Sequence, residues 1–416
     1  MDMAELQQAP AAAVTPDAPA HRPAGQPAPP YALPSALPYA PQYAPPYVRP
    51  YAPTLQDAVR QIADGPLRAA AEATDKGAYP RELLQRLGAA GAYAAHLGTG
   101  LQPGDYMAAI GAMAEVSRVC GASGFMVWCQ QVCGLYMQQS ANPALTGERL
   151  AAHASGARLG GTGMSNPMKA YAGIETLLLR ATPVPGGYRV NGSLPWVSNL
   201  GADHYAGVLA AVDGEGEGSH EIMFLLPCDA AGVELRNCPS FSAMEGTNTW
   251  AIRCTDVFIP TDQMLADPAR PYIARIRGGF VLLQTGFGLG VAQGAIDSIW
   301  RVEPQLGAVN RFLDDRPDAL QQELDALTAR IALLCQTPLS AETDHLINVL
   351  DARAHASELA LRAAQSALLH AGARGYLLSS DVQRRVRESH FVAIVTPAIK
   401  HLRKEIARLS TPAMPA

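Results

Sequence analysis

The chain has 416 residues, enough for two or three domains, and 48% of them are hydrophobic, so a sizeable core is expected. A formal net charge of −5 gives no electrostatic case for binding nucleic acid or an anionic membrane surface. The seven cysteines follow neither a disulfide framework nor a zinc pattern, no run of about twenty apolar residues suggests a membrane span, and no secretory signal is visible. A reducing cytoplasm and no metal site are expected.

Residues 1–53 are rich in alanine and proline, with Tyr-Ala-Pro and Pro-Tyr recurring between Pro30 and Pro53. Proline at that density removes backbone donors and favours extended chain, so a disordered tail is expected. A helical domain is expected over 54–157. Leu55, Val59, Ile62 and Leu67 fit one apolar face, and Asp75 to Leu84 reads as a turn followed by a helix with Pro80 at its first position. Tyr106 to Gln139 reads as one or two strongly apolar helices, with Cys129 and Cys133 as buried small residues.

A β domain follows over 158–270. Gly186-Gly187 signals a hairpin, and Tyr188 to Gly192 alternates into a turn. Tyr205 to Val212 and Ile222 to Leu226 read as buried strands, and with Gly232 to Leu235 and Trp250 to Pro260 they support a barrel or sandwich. Helices resume over 271–410, at Phe280–Ile299, Asp318–Cys335, Ala341–His370 and Asp381–Val395, enough for a four-helix bundle. Residues 411–416 are a short tail. Phe280 to Ile299 is apolar around most of its circumference, more than one bundle face buries, so a homodimer or homotetramer is expected.

Trp196, Ser198 and Asn199 place an aromatic ring, a hydroxyl and an amide within four residues at a strand end. That set suits a planar ligand with a polar edge. Gly187-Tyr188-Arg189-Val190-Asn191-Gly192, followed by Trp196-Val197-Ser198-Asn199, resembles a motif of the acyl-CoA dehydrogenase superfamily. Three further stretches are similar to that family in the right order. They are Asp75 to Leu84, Cys254 to Pro260 and Ala371 to Tyr376 with Arg384, Arg387 and Glu388 after it. The resemblance covers 54 to about 410 and implies a mainly α fold: a helical domain, a small β-barrel and a four-helix bundle. It also implies a flavin, FAD or FMN, held by Gly161, Thr162, Trp196, Val197, Ser198 and Gly372. Trp196 packs on the ring system and Ser198 bonds near its reactive nitrogen.

The sequence departs from the family where the catalytic glutamate belongs. Counting from Arg387-Glu388, that position is Thr396, in Val395-Thr396-Pro397-Ala398. Threonine does not abstract an α-proton at neutral pH without its own base. Thr396 reads instead as an N-cap, with Pro397 in the first turn of a new helix. The family's alternative glutamate position falls near Phe280, which is not acidic. The loop that meets the thioester is replaced by Ser165 to Ala170. The arginine that reaches a neighbouring subunit's flavin falls at about Val281, and the glutamine before the glycine-rich turn at about Leu369. Other candidates for a base are Glu245, Glu388 and His390. The resemblance therefore implies a flavin oxidoreductase of an acyl-thioester-like small molecule, with an electron-transfer flavoprotein as partner. One alternative is a monooxygenase served by a flavin reductase. The other is a non-catalytic flavin-binding or assembly relative.

Overall fold

A computed structural model describes residues 53–98, 104–212 and 220–411. The expected tail up to residue 52 and the end from 412 lie outside them.

The N-terminal part is helical: α1 (Pro53–Ile62), α2 (Arg68–Asp75), α3 (Arg81–Ala89), α4 (Tyr106–Val119), α5 (Gly121–Gln139), α6 (Pro143–Thr146) and α7 (Glu148–Ala154). Asp105 caps α4, its carboxylate accepting the Ala108 amide at 2.8 Å. An extended residue, Cys120, separates α4 from α5. Every residue of α5 from Gly121 to Met137 is buried, so this helix is the axis on which the other elements pack.

The middle of the chain gives β1 (Gly160–Thr162), α8 (Ser165–Tyr171), β2 (Leu179–Val184), β3 (Gly187–Val197), β4 (Tyr205–Val212), β5 (His220–Pro227), β6 (Val233–Asn237), β7 (Trp250–Pro260) and β8 (Met264–Ala266). The sheet runs β6-β7-β3-β2-β4-β5-β8. β1 pairs in parallel with the first half of β4, and β2 takes its second half. The expected barrel is an open mixed sheet. Closure would require β6 to pair with β8, but β8 has three residues and the chain enters a helix at Ala269. The expected turn at Gly192 is also corrected, because β3 runs straight through it. Gly192 has φ +127° and the ladder to β7 shifts there, so this glycine marks a bulge. The hairpin at Gly186-Gly187 joins β2 to β3 as expected.

The last third holds α9 (Ala269–Leu283), α10 (Thr285–Asn310), α11 (Pro317–Leu334), α12 (Thr343–Ala371), α13 (Asp381–Ile394) and α14 (Ile399–Ser410). α10 to α13 form the bundle, and α4 packs on α10. A Cβ at Gly286, Gly290 or Gly294 would collide with backbone carbonyls of α4, and one at Gly288 with Ala356 of α12. Glycine on opposite sides of α10 thus lets two helices approach closely. Ala269–Asn310 is long and apolar enough to cross a bilayer, contrary to the sequence expectation, but 94% of its most apolar window is buried in the fold. For the same reason the circumference of the first half of α10 is covered within one chain and does not by itself call for a second copy. Exposed apolar side chains of the bundle include Trp300 and Val309 in the second half of α10, and Phe312, Leu369, Tyr376, Leu377 and Leu378.

Candidate functional site

The end of β3 carries the site. Trp196 has φ +57°, a conformation that a bulky side chain rarely adopts, and its indole is 59% exposed. The ring meets Phe241 edge to face, with centroids 6.3 Å apart. Local backbone strain is thus spent on holding a large flat surface open to solvent, and such outliers cluster at functional sites. Val197 turns the other way, into the small sheet core beside Trp250. Ser198 is 8% exposed, and its hydroxyl lies 2.6 Å from that of Thr249, which lies 2.8 Å from that of Thr247.

β1 lies against this segment, backbone to backbone. A Cβ on Gly161 would fall on the Ser198 carbonyl oxygen, so only glycine fits. Asn199, also at positive φ (+61°), locks the pair. Its amide donates to the Gly160 carbonyl at 2.7 Å, and its side-chain oxygen accepts the Tyr79 hydroxyl at 2.8 Å. Thr162 shares a 2.8 Å hydrogen bond with Tyr136. Phe241 and Thr249 also line a cleft of about 310 Å³ together with Asn248, Glu245 and Trp250. Gly161, Thr162, Val197 and Ser198 are therefore brought together with Trp196. Gly372 is placed elsewhere. It ends α12 at φ +61° and opens the short 3-10 turn Gly372–Tyr376.

Beneath β1 and β4, His153 bridges the Tyr205 hydroxyl and the Gln130 carbonyl, each at 2.7 Å. Burial pushes its pKa down to about 4, and that of His96 likewise. The Cys133 thiol is pushed up to about 12 by burial, which makes it an inert core group.

The candidate bases are occupied or misplaced. Glu388 is buried, pairs with Arg384 at 2.7 Å and accepts the Gly121 amide at 2.9 Å, so it fastens α13 to the start of α5. Glu245 accepts the Phe241 amide and ties its own loop. His390 is exposed. Among the described residues, no group of three His, Cys, Asp or Glu side chains could hold a metal.

Thr396 is not a helix cap, which corrects the sequence expectation. α14 starts at Ile399, with Ala398 in the cap position. The physical reason is that both polar groups of Thr396 are taken outside any helix. Its hydroxyl lies 3.0 Å from that of Ser165, and its carbonyl accepts the Gln284 amide at 3.2 Å. Gln284 in turn accepts Arg353 Nε at 2.7 Å. Around this turn stand the aromatic rings of Phe125, Trp128, Phe280, Phe287 and Phe391, in pairs 4.9–6.2 Å apart.

Sequence reasoning missed Tyr136, Thr249, Gln284 and Arg353. Gln284 left a signal, a polar residue inside an apolar run. Thr247 and Thr249 left none, since they flank left-handed Asn248 before β7 begins.

The profile described as "Acyl-CoA dehydrogenase, N-terminal domain" matches residues 52–157. A probable acyl-CoA dehydrogenase, YngJ of Bacillus subtilis, is 24% identical over 373 residues, covering 85% of this chain and 96% of its own. Butyryl-CoA dehydrogenase from Megasphaera elsdenii superposes with a TM-score of 0.75 at 19% identity, over 85% and 96% of the two chains. FMN-bound TdsC, a dibenzothiophene monooxygenase of Paenibacillus sp. A11-2, superposes with a TM-score of 0.72 at 17% identity over the same shares. Profile, relatives and fold agree with the order of elements: the chain belongs to the acyl-CoA dehydrogenase superfamily.

Proposed function

We propose that this chain binds a flavin, FAD or FMN, and works as a flavin-dependent oxidoreductase on a small-molecule substrate. The observation that carries the reading is Trp196, a large ring kept open to solvent at positive φ beside a buried ladder of hydroxyls. The indole would cover one face of a flavin, and Ser198 would bond its polar edge with Thr249 orienting that hydroxyl. Thr162, held by Tyr136, would meet another edge from β1. Val197 would contribute its backbone only, since its side chain faces the sheet core, and Gly372 would act only at a site completed by a second copy. A bound flavin accepts a hydride from a substrate or, once reduced, activates oxygen; the protein supplies position and electrostatics.

The first form of the reading is dehydrogenation of an acyl-thioester-like substrate, with an electron-transfer flavoprotein as acceptor. It is supported by family membership and by dehydrogenases among its relatives. A second form, a monooxygenase fed by a flavin reductase, is favoured by one specific observation. The position where the family keeps its base is Thr396, whose hydroxyl and carbonyl are both engaged. We further propose a homodimer or homotetramer, on the exposed apolar side chains at the ends of the bundle, and a cytoplasmic setting, on seven free cysteines.

Absorbance of the purified protein, followed by titration with FAD and FMN, tests the flavin. A colourless protein with no affinity for either sinks the reading. Anaerobic addition of an acyl-CoA panel then separates the two forms. Bleaching of the flavin supports dehydrogenation. Oxygen consumption and substrate oxygenation, seen only with supplied reduced flavin, support the monooxygenase.

A further inference from the structure

Arg353, near the middle of α12, is 0% exposed. Its guanidinium donates to Gln284 Oε1 at 2.7 Å, to the Val392 carbonyl at 2.8 Å and to the Ser357 hydroxyl. All three acceptors are neutral, and among the described residues no carboxylate stands beside it. Burial alone lowers its pKa, to about 9, with no charged neighbour opposing. A buried charge is costly unless an opposite charge answers it. Other buried arginines of this fold do have an answer, as Arg384 has in Glu388.

The hydrogen bonds of Arg353 lead toward the candidate site. Gln284 carries the connection to the Thr396 carbonyl, and the Thr396 hydroxyl meets Ser165, three residues beyond Thr162 on β1. We propose that Arg353 is the fixed positive charge answering the negative charge that a bound flavin gains on reduction, and that it raises the flavin's reduction potential. Two electrons and one proton enter the ring, leaving one net negative charge, and Arg353 stabilises that charge through Gln284 and Thr396. It touches neither flavin nor substrate, so it is a positioning residue. A unit charge roughly 10 Å from a redox centre, at an effective dielectric of about 20, shifts such an equilibrium on the order of tenfold.

The inference rests on the flavin reading, and the test separates the two. The midpoint potential of bound flavin is measured against reference dyes in the wild-type holoprotein, Arg353→Gln, Arg353→Lys and Gln284→Glu. At a fixed potential, Arg353→Gln and Gln284→Glu are expected to move the reduced-to-oxidised ratio at least tenfold toward oxidised, ~30 mV for a two-electron couple. Arg353→Lys, which keeps the charge, should restore the wild-type potential. Gln284→Glu leaves the guanidinium in place and neutralises it, so it reads the charge even where Arg353→Gln fails to fold. Wild-type potential in a flavin-loaded Gln284→Glu overturns the inference and leaves the flavin reading standing. A wild type that binds neither FAD nor FMN defeats the flavin reading itself, before any variant is made.

Discussion

The end of β3 and the turn at Thr396 are built on opposite principles. At Trp196 the chain accepts an unfavourable φ to keep a ring exposed, with polar partners ready at its side. At Thr396 the hydroxyl and the carbonyl are both engaged, and a buried cation closes the network. The first region stores strain and offers an exposed ring; the second is half-buried and tied to its neighbours. The contrast separates a site whose ring is held open from a turn whose hydroxyl and carbonyl are already engaged.

The largest effect expected from breaking the second region comes from Arg353→Ala. It removes a buried side chain and leaves Gln284 Oε1 and the Val392 carbonyl without their donor. A truncation cavity plus orphaned acceptors costs about 4 kcal/mol, offset in part by relief of the unanswered buried charge. Denaturant unfolding should show it, and a loss below about 1 kcal/mol would mean the turn is not held from α12.

Acid sharpens the comparison next, because the two regions differ in what titrates. His153, beneath β1 and β4, has a folded pKa of about 4 against an ordinary value of 6.5, lowered by burial. Between those values the unfolded chain binds the extra proton and the folded one does not. The stabilisation is therefore complete above pH 6.5 and lost as pH falls toward 4, on the order of 3 kcal/mol. His96 adds a second loss over the same window. Thermal unfolding between pH 7.5 and 5 should show a falling midpoint, and His153→Gln should shrink the fall. A midpoint in the wild type that stays flat over this range counts against it.

Trp196→Gly should split function from stability. Glycine takes φ +57° without strain, so stability should stay level or rise by about 1 kcal/mol, while flavin affinity falls at least tenfold. Equal affinity in the variant would show that the indole is not the flavin's support.

How far these regions were legible in the sequence follows the same division. The hairpin glycines, the strands, the helix breaks and the pairing of Trp196 with Ser198 are local patterns, set by residues a few positions apart. The open sheet, the bulge at Gly192, the Ser198–Thr249 contact and the chain from Arg353 to Ser165 join positions tens to hundreds of residues apart. No periodicity encodes them. Thr396 shows the trap most clearly. Threonine before proline is a good local cap, yet the tertiary partners Ser165 and Gln284 take its polar groups first.

The smallest expected effect tests that point. If the Thr396 hydroxyl mattered as a cap, Ser165 would be irrelevant to it. If the two hydroxyls bond each other across the gap between α8 and the turn, their removal must be coupled. Thr396→Val and Ser165→Ala should each cost about 1 kcal/mol, the usual net value of one hydrogen bond. The double variant should cost clearly less than their sum, with a coupling of about 0.5–1 kcal/mol. Additive losses would return Thr396 to a role unrelated to Ser165. A coupled pair would mean that α8 is fastened to the turn at Thr396 through this one hydrogen bond.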